Sequence, residues 1–141
     1  MKYALLSALF LLSITTIQPS IAPMSYRAEL LTRHNLTATV YRAFDCVADE
    51  HLAVVLAIAK VESNFNPKAR NKSGAVGIMQ IHTGYHSIRR WSNPACNVAK
   101  GYEIYLDCLR RSGSVKQALS LYGGCKSDWY ADRVLKYVEV I

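Results

Sequence analysis

Glu62 is the residue whose type and place could do chemistry. It lies seven positions after Val55 and three after Ala59, and the run Leu52 to Ala59 is apolar throughout. A helix through this segment turns the Glu62 carboxyl inward. Burial disfavours the charged form, and a place in the last helical turn adds the negative end of the helix dipole, so both effects raise the pKa. A carboxylic acid kept protonated toward neutral pH is what general-acid cleavage of a glycosidic bond requires. The same periodicity also allows Glu62 to turn outward at the helix end and pair with Lys60 or Arg70, and the pattern alone leaves both open.

The distribution of acids bears on the mechanism. No Asp or Glu stands between Glu62 and Glu103, whereas that stretch carries Lys68, Arg70, Lys72, Arg89, Arg90 and Lys100. A glycosidase that flanks the scissile bond with two carboxylates would have to bring the second from farther away, for example Asp128. The basic excess suits an anionic polymer, or is loop charge facing solvent. His82 and His86 are four apart, but no Glu follows His82 and no third ligand accompanies them, so they read as surface or cleft-edge histidines. No metal or cofactor is expected. Trp91 and Trp129 are open to sugar stacking or to core filling.

The elements that must position these residues are helical. The 141 residues hold 17 Lys+Arg against 10 Asp+Glu, 51% hydrophobic residues, 4 Pro and 7 Gly, which excludes a disordered tail, a collagen-like repeat and a multi-domain machine. Residues 1–22 read as a secretory signal, with Lys2 as the only charge, an apolar Tyr3 to Ile17 and the small-residue site Ser20-Ile21-Ala22. The apolar run is short for a bilayer span of about 20 residues. The expected mature domain is 23–141, in the periplasm or secreted, and monomeric. The basic balance invites a nucleic-acid reading, but a signal peptide and the lack of a nucleic-acid motif argue against it. Asn35-Leu36-Thr37 matches a glycosylation acceptor, a pattern common by chance.

Short helices are expected around Tyr26 to Leu31 and Val40 to Phe44, followed by a central buried helix that starts at Asp49-Glu50 and stops at Asn66-Pro67. Residues 66 to 96 read as loops and turns carrying function. Helical periodicity resumes with Val98, Tyr102, Tyr105, Leu106 and Leu109 and ends at Gly113. Ser114 would cap a helix striped by Val115, Ala118, Leu119 and Tyr122, and Ser127 one striped by Tyr130, Val134, Tyr137 and Ile141. Cys46, Cys96, Cys108 and Cys125 suggest two disulfides in an exported chain, since their spacing lacks any C-x-x-C zinc pair. A continuous helix over 97–111 separates Cys96 from Cys108 by about 18 Å. That leaves Cys46–Cys96 with Cys108–Cys125, or Cys46–Cys108 with Cys96–Cys125, and a hairpin at 112–114 favours the second pairing.

Residues Leu52 to Leu135, about sixty per cent of the chain, resemble the soluble-lytic-transglycosylase (SLT) domain, a mainly α, goose-type-lysozyme-like single domain. Ala57 to Pro67 (AIAKVESNFNP) resembles the family's catalytic-Glu segment, Gly74 to Ile81 (GAVGIMQI) its Gly-Ala-x-Gly-Leu-Met-Gln-Ile loop, and Asn93-Pro94, Asn97-Val98, Gly101 and Tyr105-Leu106 the following helix. The Ala-Tyr-Asn-x-Gly motif appears as Leu121-Tyr122-Gly123-Gly124, which keeps the Tyr but loses the Asn. The resemblance implies a peptidoglycan lytic transglycosylase. Glu62 would protonate the bridging oxygen between N-acetylmuramic acid and N-acetylglucosamine and then act as base, the substrate's own 6-hydroxyl closing a 1,6-anhydro ring. Ser63 and Gln80 would orient Glu62 or hold sugar, and the Gly77-Ile78-Met79 backbone and Tyr122 would line the cleft, with Met79 otherwise a core residue. The small size and signal peptide resemble the specialised transglycosylases of type III and type IV secretion or conjugation systems, whose components are the implied partners. A lysozyme-type hydrolase, or a lapsed wall-binding or assembly protein, are the alternatives.

Overall fold

In the computed structural model residues 23–124 and 128–140 are described. Ser25 caps α1 (Tyr26–Thr32) by accepting from the Ala28 amide, and Thr37 caps α2 (Ala38–Ala43) from that of Val40. A 3-10 turn, Phe44–Cys46, completes this N-terminal piece. Leu30, Leu31, Val40 and Phe44 bury themselves, and Arg27 locks the piece to the next helix by an ion pair to Asp49 at 2.7 Å and a bond to the Phe44 carbonyl at 3.1 Å.

Helix α3 (Asp49–Ser63) runs through the core with Leu52 and Val55 to Ala59 buried. Asp49 and Glu50 sit in its first turn, where the dipole favours acids. The helix stops at Ser63, ahead of the expected Asn66-Pro67. Asn64 and Phe65 both take left-handed backbone angles (φ 51° and 62°), a reversal that Asn tolerates better than most residues. It drives the Phe65 ring into the core, 6.2 Å from Phe44 and 4.9 Å from His34.

The 66–96 stretch is more ordered than loops and turns. Two short strands, β1 (Ala75–Val76) and β2 (Ile81–His82), pair antiparallel with Val76 opposite Ile81, and Gly77 to Gln80 form the connection. Asn93 then caps α4 (Pro94–Ser112), with Pro94 in its first turn. Gly113, at φ 75°, ends α4 in the left-handed conformation, and Ser114 caps α5 (Val115–Tyr122) from the Gln117 amide as expected. Helix α6 (Trp129–Val138) packs on α3 and α5, while α4 packs on α2 and α5. The mainly helical class expected from the periodicity is the one observed. Among the described residues no helix is long and apolar enough to cross a membrane.

No disulfide forms among the described residues. Cys46, Cys96 and Cys108 are free thiols, so the Cys46–Cys108 pairing is corrected. Cys46 lies exposed at the end of the 3-10 turn with its Sγ on the Ala43 carbonyl, whereas Cys108 is buried on α4. Cys125, Ser127, Ile141 and residues 1–22, expected to be a secretory signal, lie outside the described residues.

Candidate active site

A cleft of about 710 Å³ opens between the hairpin, α4, the end of α5 and α6, and Glu62 lines it from the last turn of α3. The carboxyl therefore faces inward. Lys60 instead bonds Asn64 at 2.6 Å and the Arg70 guanidinium stacks on Trp91 at 5.2 Å, so neither takes the outward pairing the periodicity had left open. Desolvation pushes the Glu62 pKa above its ordinary value of 4.5, opposed by a hydrogen bond from Tyr130 and by the charge of Arg133. The Tyr130 hydroxyl donates to Glu62 Oε1 at 2.5 Å. Burial and the neighbouring Glu62 raise the pKa values of Tyr122 and Tyr130 well above that of a free phenol, so both remain neutral donors.

Behind the carboxyl, side chains and backbone of three elements interlock. Ser63 Oγ donates to the Ile78 carbonyl at 2.8 Å and accepts from the Asn66 amide, tying the end of α3 to the hairpin connection. Asn97, fully buried on α4, accepts from the Met79 amide at 2.7 Å and donates to the Val76 carbonyl at 3.0 Å. Tyr122 donates to the Met79 carbonyl at 2.9 Å from α5. The bonds to the Ile78 carbonyl and to the Met79 amide and carbonyl satisfy backbone groups of the tight connection itself. Gly77 is required here on two counts: its φ is 77°, and a Cβ would come within 2.1 Å of Asn97 Nδ2. Gln80 also sits at positive φ (47°), its amide bonded back to the Gly77 carbonyl at 2.9 Å.

A family model described as "Transglycosylase SLT domain" matches residues 49–125, more than half of the chain. The chain belongs to that family. Its mainly helical architecture is accordingly the lysozyme-like one. No curated protein and no solved structure matches it.

Within this SLT domain the expected site residues fall into two groups. Glu62, Gln80 and Tyr122 line the cleft. Ser63, Gly77, Ile78 and Met79 stand outside its lining, and the Ile78 and Met79 side chains are fully buried, so Ser63 through its Oγ and the other three through their backbone build the frame behind the acid. Asp128 does not reach the cleft lining, being bonded to Ser120 at 3.0 Å. Glu103 and Asp107 of α4 do line it, but both are ion-paired, to Lys100 and to Arg110 and Arg111, which turns them to those partners. Trp129 is exposed in the cleft, while Trp91 lies outside it against Arg70. His82 and His86 line the cleft, and among the described residues no group of three metal-binding side chains exists.

Sequence reasoning missed Tyr130 as a functional residue. Its place on an apolar stripe reads as core, and its ring is indeed buried, but periodicity carries no information about where a hydroxyl points. The change at Gly123 was legible, and its consequence was not. A Cβ at this position would lie 2.6 Å from Tyr130 Cγ, so the ring that presents the hydroxyl to Glu62 occupies the space where a larger residue would begin.

Proposed function

We propose that this SLT domain is a peptidoglycan lytic transglycosylase that cleaves the β-1,4 bond between N-acetylmuramic acid and N-acetylglucosamine and leaves 1,6-anhydro-muramyl ends. The observation that carries the reading is Glu62: a carboxyl desolvated toward its neutral form, in an open cleft, held by one phenol. Such an acid donates its proton to the glycosidic oxygen as the bond breaks. The Glu62 carboxylate so formed is stabilised by Tyr130 and by Arg133, and takes the proton of the substrate's 6-hydroxyl as that oxygen closes on the anomeric carbon. The proton returns to Glu62 and the site is reset. Glu103 and Asp107 spend their charge on ion pairs, which favours a mechanism with one protein carboxylate over one with two.

Trp129 and Tyr85 expose aromatic faces in the same cleft, and such faces suit the apolar sides of pyranose rings. The signal-like residues 1–22 support export to the periplasm or beyond, where a small monomeric enzyme would open the wall locally for a secretion or conjugation apparatus. Digestion of purified sacculi, with mass spectrometry of the released muropeptides, tests the activity. Anhydro-muramyl ends made by the wild type and not by Glu62→Gln are the expected result. Reducing ends would make the protein a hydrolase, and no release by a folded protein would make it a binding or assembly component.

A further inference from the structure

Arg133 is a cation in the cleft without an acid of its own. Four strong bases line the cleft: Lys100, Arg110, Arg111 and Arg133. Lys100 meets Glu103 at 2.9 Å, and Arg110 and Arg111 share Asp107 at 3.2 Å each. Arg133 makes no ion pair among the described residues, and its neighbour Asp132 is taken by Lys116 at 2.8 Å. The acid that feels its charge is Glu62, whose Oε1 is already engaged by Tyr130 and whose neutral form is favoured by desolvation. The cleft is thus positive beside the catalytic acid, and a charge left unmatched on a binding wall is matched by the ligand.

The glycan of N-acetylated sugars offers no charge along its backbone, because in intact peptidoglycan the lactyl group of each muramyl residue is consumed in an amide. Its negative charge sits on the free carboxylates of the stem peptide, which hangs from the sugar whose glycosidic bond Glu62 would protonate. We propose that Arg133 anchors a stem-peptide carboxylate of that muramyl residue, so that the enzyme selects strands bearing charged stems. This rests on the transglycosylase reading above. The guanidinium fork suits a carboxylate, with two parallel N–H donors for its two oxygens.

The test compares three substrates: intact peptidoglycan, the same material with its stem carboxylates converted to methylamides, and glycan strands stripped of stems so that the lactyl carboxylate is bare. The wild type should cleave intact material about fivefold faster at limiting substrate than the amidated form, the scale of one exposed charge pair, with the difference in KM and shrinking as salt is raised. Arg133→Gln should bring the ratio of the intact to the amidated rate down to about one, both rates also sharing the loss from the weaker support of the Glu62 carboxylate, and Arg133→Lys should keep part of the preference. A preference for intact over amidated material that survives in Arg133→Gln, or a wild type indifferent to amidation, would overturn the assignment. Arg133-dependent cleavage of stripped strands as fast as intact ones would overturn it in favour of the lactyl carboxylate. The Kd of soluble intact and amidated muropeptides for the Glu62→Gln protein separates this inference from the activity it rests on. A fivefold preference there, lost in the double variant with Arg133→Gln, would support the anchor even if no substrate were cleaved, and equal affinities would refute it.

Discussion

The two sides of the cleft are built on opposite principles. Behind Glu62, the hairpin connection and the first turns of α4 hold Met79, Ile78 and Asn97 fully buried and fix them with hydrogen bonds between side chains and backbone. Across from it, the later turns of α4 and the outer face of α6 carry Glu103, Asp107, Arg110, Arg111 and Arg133, in ion pairs open to water or in none. Buried hydrogen bonds lose their value when one partner is missing, because the other is left desolvated, so the first side is rigid and intolerant of change. Exposed ion pairs contribute little to stability and are screened by salt, so the second side is free to answer to the substrate. A group that must be placed to within a fraction of an ångström belongs on the first side, and groups that select among substrates belong on the second.

The contrast can be broken most sharply at Glu62 itself. Glu62→Gln keeps the shape and removes the transferable proton, and the rate of wall cleavage should fall about 10³-fold, within the span attributed to general acids, when turnover is followed by muropeptide release. The same substitution should raise stability at neutral pH. The folded-state pKa of Glu62 lies above its ordinary value of 4.5, so the acid favours the fold fully below pH 4.5 and loses that contribution as pH rises toward the folded value. Thermal melts of the two proteins should therefore diverge above pH 4.5 in favour of Glu62→Gln, while below it the pH-dependent difference vanishes. A wild type that gained stability relative to the variant on the alkaline side would show that Glu62 is not desolvated.

The next effect is one of stability. Asn97→Ala leaves the Met79 amide and the Val76 carbonyl without their partner in a buried place, at about 3 kcal/mol in total, and chemical denaturation should show a loss of that order. By comparison, Glu103→Ala on the open side should change stability by less than about 1 kcal/mol. Similar losses at the two positions would erase the difference between the two sides.

A smaller effect sharpens the account at Gly123. Restoring the family's Asn there would be expected to help an enzyme that had merely drifted. The structure calls for the reverse, because any Cβ collides with the Tyr130 ring. Gly123→Asn should cost about 2 kcal/mol as overpacking and lower activity about tenfold by displacing the hydroxyl from Glu62. Paired with Tyr130→Phe, which removes the hydroxyl without crowding, the two losses should fail to add. Full additivity in rate would place Gly123 and Tyr130 in separate roles.

Much of this arrangement was legible from residue types and spacing. The apolar run before Glu62 put its carboxyl within reach of the interior without deciding between inward and outward, Gly113 and Ser114 marked the α4–α5 corner, and the GAVGIMQI segment marked the connection at the back of the site. What escaped is whatever depends on atoms meeting across the fold. Ser63 was legible as a neighbour that could orient Glu62, and the Ile78 and Met79 backbone as part of the site, but the bonds by which Ser63, Asn97 and Tyr122 tie that backbone in place were not. Tyr130 looked like core because one hydroxyl on a stripe does not alter its period. The cysteines misled for a related reason: a helix length rules out one pairing, but it cannot bring two thiols together. The early stop of α3 was hidden too, since it follows from Phe65 turning into a core made by helices earlier in the chain.

The state of Glu62 tests the central claim most directly. A carboxyl-carbon NMR titration of the protein labelled at glutamate, with Glu62→Gln assigning the signal, reads its pKa without reference to any substrate. The account predicts a midpoint above the ordinary 4.5, moving higher still in Tyr130→Phe because the lost hydroxyl had favoured the charged form. A Glu62 titrating at or below 4.5, or one unmoved by the loss of the Tyr130 hydroxyl, would contradict it.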